Sequence, residues 1–463
     1  MLHFIEKLNE LVWGLPALVM ILGVGIYLTV ATGFAQFKFF PKALRMFIRP
    51  FLRKDSREGR SQYQALCTAL AATVGTGNLA GVAGAIALGG PGAVFWMWVC
   101  GILGMATKFA EATLAVRYRR VNKVGEQVGG PMYMIQSAMR PRWHWLAGIY
   151  CFFGVVASFG VGNATQINTV IGGINSTLVI FGAQESWGFN LLIGTLIALL
   201  LLLMLTGGGR RIGSVAEKLV PFASVIYILL CAGVLMMRAS QIPNAIRQIV
   251  VGAFMPNAVT GGMVGSLFIA LRVGAARGVF TNEAGMGTAS IAHAGADVAH
   301  PVDQGFMGIM EVFIDTIVIC TLTALVILCS GVRIPYGIDC GIQLTTQAFV
   351  SVYGDWVSFL ITGSLCLFAL ATVLGWGLYG IRCAQYLFGE GAWKPFVYMQ
   401  SGMVIVGAML NAGTLWLMAE TVNGLMAIPN LIVLAHLVPE LRLLVHSYQK
   451  PAPVYAGAGR FSP

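Results

Sequence analysis

The stretch Ala71-Ala72-Thr73-Val74-Gly75-Thr76-Gly77-Asn78 lies inside an apolar segment running from about Tyr63 to Leu88. A membrane-crossing helix needs about 20 apolar residues, and this segment is long enough. Yet glycines, threonines and an asparagine stand at its middle. Broken backbone is tolerated at membrane depth only where protein buries it or where it lines a wet cavity. Such a break frees carbonyls to face a cation and amide N–H groups to face an anion. The pattern predicts an ion-coupled solute carrier.

Composition supports a chain that lives in a bilayer. Of 463 residues, 57% are hydrophobic and only 10% are charged, against about 25% charged in soluble domains. The net charge of +11 would point to nucleic acid in a soluble protein, but the placement of the charges argues against it. Eight of the 29 Lys and Arg fall between Lys38 and Arg60, interleaved with Phe39, Phe40, Leu44, Phe47 and Leu52. That segment predicts an amphipathic helix on an anionic lipid surface. The nine cysteines are scattered through apolar runs and form neither a disulfide framework nor a metal cluster. No phosphate-cradling loop, zinc spacing or nucleophile elbow is found, so an enzyme or an ATP-driven pump is not expected.

Hydropathy predicts eleven spans, near 12–34, 63–88, 92–118, 145–172, 188–206, 214–237, 259–293, 304–330, 356–386, 395–412 and 415–445. The first lacks a basic leader and a cleavage site, and reads as a retained span rather than a signal peptide. Lys and Arg concentrate after the first, third and fifth spans. The positive-inside rule then puts the N-terminus outside and the C-terminus in the cytoplasm. Setting the first span aside leaves two sets of five, each opening with a glycine-interrupted segment: Gly75-Thr76-Gly77, and the span carrying Gly274, Gly278, Gly285 and Gly287. An odd number of spans per half inverts one half against the other. Interrupted segments at matching positions of two halves mark a transporter's binding site. The expected division is residues 1–60 (extra span and basic helix), 61–240 and 241–445 (the two repeats) and 446–463 (a cytoplasmic tail). Gly81, Gly162, Gly194 and Gly308 are expected only to let helices approach.

Four motifs resemble the alanine or glycine:cation symporter family. They are Thr68 to Val82, Gly89 to Trp98, Gly129-Gly130-Pro131-Met132-Tyr133, and Arg277-Gly278-Val279-Phe280-Thr281-Asn282-Glu283-Ala284-Gly285-Met286-Gly287 with Ile291 to Ala294. The resemblance implies an all-α polytopic membrane protein of leucine-transporter type, a 5+5 inverted repeat with one added N-terminal span. It also implies sodium-driven uptake of small neutral amino acids, alanine and glycine above all, in a bacterial inner membrane. One departure is Ala371, where the family usually carries Ser or Thr, so one hydroxyl is missing from the cation site.

A zwitterionic substrate needs an anion receptor, a partner for its ammonium group and a size filter. Amide N–H groups at a half-helix start can receive a carboxylate without a buried arginine. By resemblance, Thr76 and Gly77 supply them with Asn78 beside, and an unwound turn around Ala270 to Gly274 takes the ammonium. The carbonyls of Ala71, Val74 and Phe368 and the hydroxyl of Thr372 are the expected sodium ligands, since hard cations prefer oxygen. Trp376 and Phe159 are expected to form the size filter, with Gln166 as its polar handle. Charges at membrane depth are functional candidates. Lys108 and Glu111, three apart on one helix, are expected to pair with each other. Glu311 and Asp315 are expected to pair with Arg272 or Arg277 as a gate. A proton-coupled carrier or exchanger on the same fold is the alternative, and nothing in the chain points to an obligate protein partner.

Overall fold

The computed structural model describes residues 2–52, 57–262, 264, 266–339, 341–410 and 412–449. Among these, seven helices are long and apolar enough to cross a membrane: Gly92–Arg117, Pro141–Ile180, Trp187–Leu205, Arg211–Met237, Pro301–Ser330, Val357–Phe388 and Trp416–Gln449. The pair Ser61–Thr73 and Gly77–Gly89, bent by 52° at the glycine-threonine turn, makes an eighth. Three of the expected spans hold shorter helices, Leu15–Ala31 of 17 residues, Leu267–Asn282 of 16 and Trp393–Met409 of 17. In hydrocarbon a helix satisfies its backbone internally, which is why so apolar a sequence resolves into helices.

The fold is not wholly helical. Arg120–Val121 pairs antiparallel with Gln127–Val128, Arg120 opposite Val128. The hairpin closes because Asn122 Oδ1 accepts the N–H groups of Val124 and Glu126, and Gly125 adopts φ of 79°. Such an Asn-nucleated turn outbids the helix just past the end of Gly92–Arg117. The basic segment forms a helix at Phe40–Leu52, seated on Pro301–Val312 and Arg57–Thr73 with Phe40 edge-on to Phe313. Residues 53–56 of that segment and 450–463 of the tail lie outside the described residues.

Small residues set the packing. Gly194 faces Ala408, Gly375 faces the backbone of Ala72, and Gly308 faces the backbone of Lys108, each closer than any side chain would permit. The Gly92–Arg117 helix lies at the centre, against Pro301–Val312, Leu267–Asn282 and Leu15–Ala31. It packs against the second halves of both interrupted segments, Val82–Gly89 and Thr288–His293.

Candidate functional site

The first interruption is built as the sequence predicts. The Arg57–Thr73 helix stops, and Gly77–Gly81 resumes as a π-helical turn. The freed donors are met from other elements. Gly75 N–H donates to Asn78 Oδ1 at 2.8 Å. Thr76 donates to Gln166 Oε1 from both its amide, at 3.3 Å, and its hydroxyl, at 2.9 Å. Gln166 is aimed there by its own amide, which donates to the Val161 carbonyl at 3.0 Å in a second π-helical turn, Gly160–Ala164. Asn78 Nδ2 donates to Asp315 Oδ1 at 2.7 Å. All these side chains are buried.

Thr372 arrives from the Val357–Phe388 helix. Its hydroxyl donates to the Phe368 carbonyl at 3.0 Å and lies directly against Gly75, where a Cβ would overlap it. Ala71 on the Arg57–Thr73 helix, Val74 just past its end, and Phe368 and Thr372 on the facing helix are all buried. Ala371 is buried beside them and brings no hydroxyl.

The second interruption is displaced from its expected place. Leu267–Asn282 is one continuous helix, started by Ser266, whose hydroxyl accepts from Ile269 N–H. Ala270 and Gly274 therefore sit within helix, not in an unwound turn. Gly274 is small because the backbone of Ala93 and the Trp96 side chain press on it. The chain unwinds instead at Glu283–Gly287, where Glu283, Gly285 and Gly287 take φ of 53°, 92° and 76°, before Thr288–His293 resumes. That left-handed backbone is what the last two glycines supply.

Glu111 holds this second turn. Its Oε1 accepts from Gly285 N–H at 3.0 Å, Gly287 N–H at 3.1 Å and Asn430 Nδ2 at 2.7 Å. Lys108 does not pair with Glu111. Its Nζ lies 2.9 Å from Glu311 Oε1, and Glu311 Oε2 lies 2.9 Å from His293 Nε2. The close seating of Gly308 on the Lys108 backbone brings the two helices near enough for that pair. The expected gate pairs are likewise absent: Asp315 meets Asn78 and Thr316, while Arg277 meets Asp339 at 3.0 Å and Glu420 at 3.2 Å. Arg277 sits more than a turn before the break and so reaches outward.

Trp376 joins the second interruption to the π-helical turn Gly160–Ala164. Its indole N–H donates to Glu283 Oε1 at 2.8 Å, and its ring is seated on Gly162. Phe159 stacks instead on Phe396, ring centroids 5.2 Å apart, with no described contact to the Gly75 turn. The roles of Glu111 and Asn430 escaped the sequence reading. An asparagine inside the last apolar run was the available signal.

Cavities open on either side. One of about 810 Å³ is lined by Gln64, Thr68, Glu126, Glu217, Asp297 and Arg382. The other, about 460 Å³, is lined by Ala80, Thr169, Arg277, Asp339, Trp416 and Glu420. The broken turn at Gly75–Asn78 lies between them along its own span.

The model of the sodium:alanine symporter family matches residues 1–454. The sodium/alanine symporter AgcS of Methanococcus maripaludis is 40% identical over 434 residues, 92% of this chain and 93% of its own. The amino-acid carrier protein AlsT of Bacillus subtilis is 37% identical over 418 residues, 90% of this chain and 85% of its own. Among solved structures, that of MhsT in complex with L-phenylalanine aligns with a TM-score of 0.56 at 12% identity, over 83% of this chain and 97% of its own, a likeness of leucine-transporter-type fold. The chain belongs to the sodium:alanine symporter family, as a multi-pass membrane transporter.

Proposed function

We propose that the protein is a symporter coupling inward sodium movement to uptake of small neutral amino acids, alanine and glycine first, by alternating access. The observation that carries this reading is the meeting of Gln166, Thr76, Gly75 and Thr372 at one buried turn. The Gln166 amide oxygen on the Thr76 amide and hydroxyl marks where a substrate carboxylate oxygen binds, with Gly77 and Asn78 beside it. Sodium is held next to it by the carbonyls of Ala71, Val74 and Phe368 and the hydroxyl of Thr372. Without a hydroxyl at Ala371, this site is weaker than one carrying Ser or Thr there.

The ammonium group faces the carbonyls and acid of the second interruption, Glu283–Gly287, rather than Ala270 or Gly274. Trp376, pinned by Glu283, closes the pocket to large side chains; one methylene is worth about 1–3 kcal/mol in such a pocket. Residues 61–240 and 241–445 act as inverted repeats that rock about this site, with the N-terminus periplasmic and the C-terminus cytoplasmic in a bacterial inner membrane. The names of AgcS and AlsT support sodium coupling and an amino-acid cargo.

The test is uptake of labelled alanine into proteoliposomes under an inward sodium gradient, with a potassium gradient as control. Accumulation with sodium alone is expected. Uptake driven only by an inward proton gradient would transfer the coupling to protons, and no uptake under either gradient would overturn the substrate assignment.

A further inference from the structure

The basic helix Phe40–Leu52 takes no part in the substrate turn or in the two cavities described above. Its apolar side is already occupied. Ala43 is fully buried, Leu44, Met46 and Phe47 pack on the core, and the Phe47 ring lies 6.4 Å from that of Tyr63. A free-standing interfacial helix would put that side into lipid. Here the protein takes it, and the cations are turned outward. Lys42, Arg45 and Arg49 are all exposed. Their spacing of three and then four residues lines them up along one face of the helix. Lys38, also exposed, extends that stripe by one turn.

The end of the last helix flanks the stripe. Lys38 Nζ donates to Gln449 Oε1 at 3.1 Å. Lys42 Nζ donates to the Tyr448 hydroxyl and lies 4.4 Å from the centre of its ring, and that hydroxyl donates in turn to Asp303 Oδ1. Asp303 therefore offsets part of the charge of Lys42. Arg45 has no acidic partner among the described residues. From Lys38 to Arg60 the sequence carries eight cations against two acids, Asp55 and Glu58.

Beside the cations stand exposed aromatic rings. The helix Leu15–Ala31 ends just before this segment, and Phe34 and Phe37 between them are 54% and 56% exposed. Aromatic rings left outside at the end of an apolar span are characteristic of the headgroup boundary. A nucleic acid or an acidic protein would engage the cations and leave both rings in water. An anionic phospholipid engages both, with its phosphate on the stripe and its acyl chain against the rings.

We propose that the outward face of this helix is a binding site for anionic phospholipid. Lys42, Arg45 and Arg49 receive the headgroup phosphate, and Phe34 and Phe37 contact the top of the acyl chain. The seat of Phe47 on Tyr63 places that lipid against the Arg57–Thr73 half-helix, which leads to the Gly75 turn.

The test is native mass spectrometry of the purified full-length protein in detergent, titrated with phosphatidylglycerol or with phosphatidylcholine of the same acyl chains. Phosphatidylglycerol should be retained at least several-fold more strongly than phosphatidylcholine. Exchange of Lys42, Arg45 and Arg49 for Gln should abolish that preference and leave phosphatidylcholine retention unchanged, which also shows the variant to be folded. Arg45→Glu alone, at a side chain with no acidic partner to lose, should lower the preference at least several-fold. Phe37→Ser keeps every cation and should lower it too, because a lipid has a chain for the ring to hold and a soluble anion does not. Exchange of the exposed Lys123, Arg140 and Arg142 for Gln removes equal charge elsewhere and should leave the preference intact.

Equal retention of the two lipids by the wild type would overturn the site. So would an equal loss in both triple variants, which would reduce the preference to overall charge. Displacement of phosphatidylglycerol by an equal concentration of inorganic phosphate would make the stripe a site for soluble anions and overturn the lipid assignment.

Discussion

At Gly77 a single Cβ would already stand 3.1 Å from the Thr281 methyl and 3.6 Å from the Phe280 ring. A leucine there has nowhere to go except into the turn, so Gly77→Leu should abolish uptake while the protein still inserts and purifies. Retained alanine uptake in proteoliposomes would show that the turn is not the site. Thr372 offers a finer probe. Its hydroxyl is assigned to sodium, so Thr372→Ala should raise the sodium concentration for half-maximal uptake, about tenfold for about 1.4 kcal/mol of lost coordination. An unchanged sodium curve would remove it from the cation site. For Trp376, truncation to Ala should admit larger neutral amino acids in competition assays, and Glu283→Gln should loosen selectivity less. If neither alters the competition profile, the indole is packing alone. Thr76, Gln166 and Thr372 stood out in the sequence as polar residues at mid-span, but the bond between Gln166 and Thr76 was not legible there, and Gln166 was expected at the size filter instead. The partners of Lys108 were not legible either, because helical spacing ranks only neighbours on the same helix and is silent on what the facing helix presents.

The seventh span shows the same limit at the scale of an element. Gly274, Gly278, Gly285 and Gly287 look alike in sequence, yet two are small so that the Gly92–Arg117 helix can approach, and two are bent into left-handed backbone. Composition cannot separate a glycine chosen for volume from one chosen for φ, so the break was expected a few turns too early. The break at Gly75 was placed correctly because Thr76 and Asn78 accompany it, and side chains that bond to backbone mark an interruption where glycine alone does not. The helices around both breaks are fastened by the fully buried pair Lys108–Glu311. Removing one partner strands the other, so Lys108→Met should cost about 3–5 kcal/mol and lower the unfolding temperature sharply. The double variant Lys108→Met with Glu311→Leu should recover much of that loss, since apolar replacement of a buried pair is close to neutral. Thermal unfolding in detergent decides the matter. A double variant as unstable as the single would mean that the charges do more than satisfy one another.

Over the whole molecule, the two cavities that flank the broken turn differ in what crosses them. The larger one opens past the first half of the broken helix, from Ser61 to Thr68, while the smaller is crossed by Arg277 and its two carboxylates. On the alternating-access reading proposed above, the three charges across the smaller cavity are a latch and the larger cavity is the open side. The basic segments at Arg119, Arg120 and Arg140 follow the span that leads toward the larger cavity in chain order, and the orientation proposed above puts that side in the cytoplasm. Orientation and state can be read together from cysteines placed in a background freed of the native ones. Ser61 lines the larger cavity, and Gln343 is exposed at the rim of the smaller. A membrane-impermeant maleimide should label Ser61→Cys in inside-out vesicles and Gln343→Cys in right-side-out vesicles. The reverse pattern would invert the topology without disturbing the fold. Ala80, deeper in the latched cavity, should label slowly as Ala80→Cys and faster once Arg277→Gln is added. A rate indifferent to Arg277 would mean that the three charges do not hold that side closed.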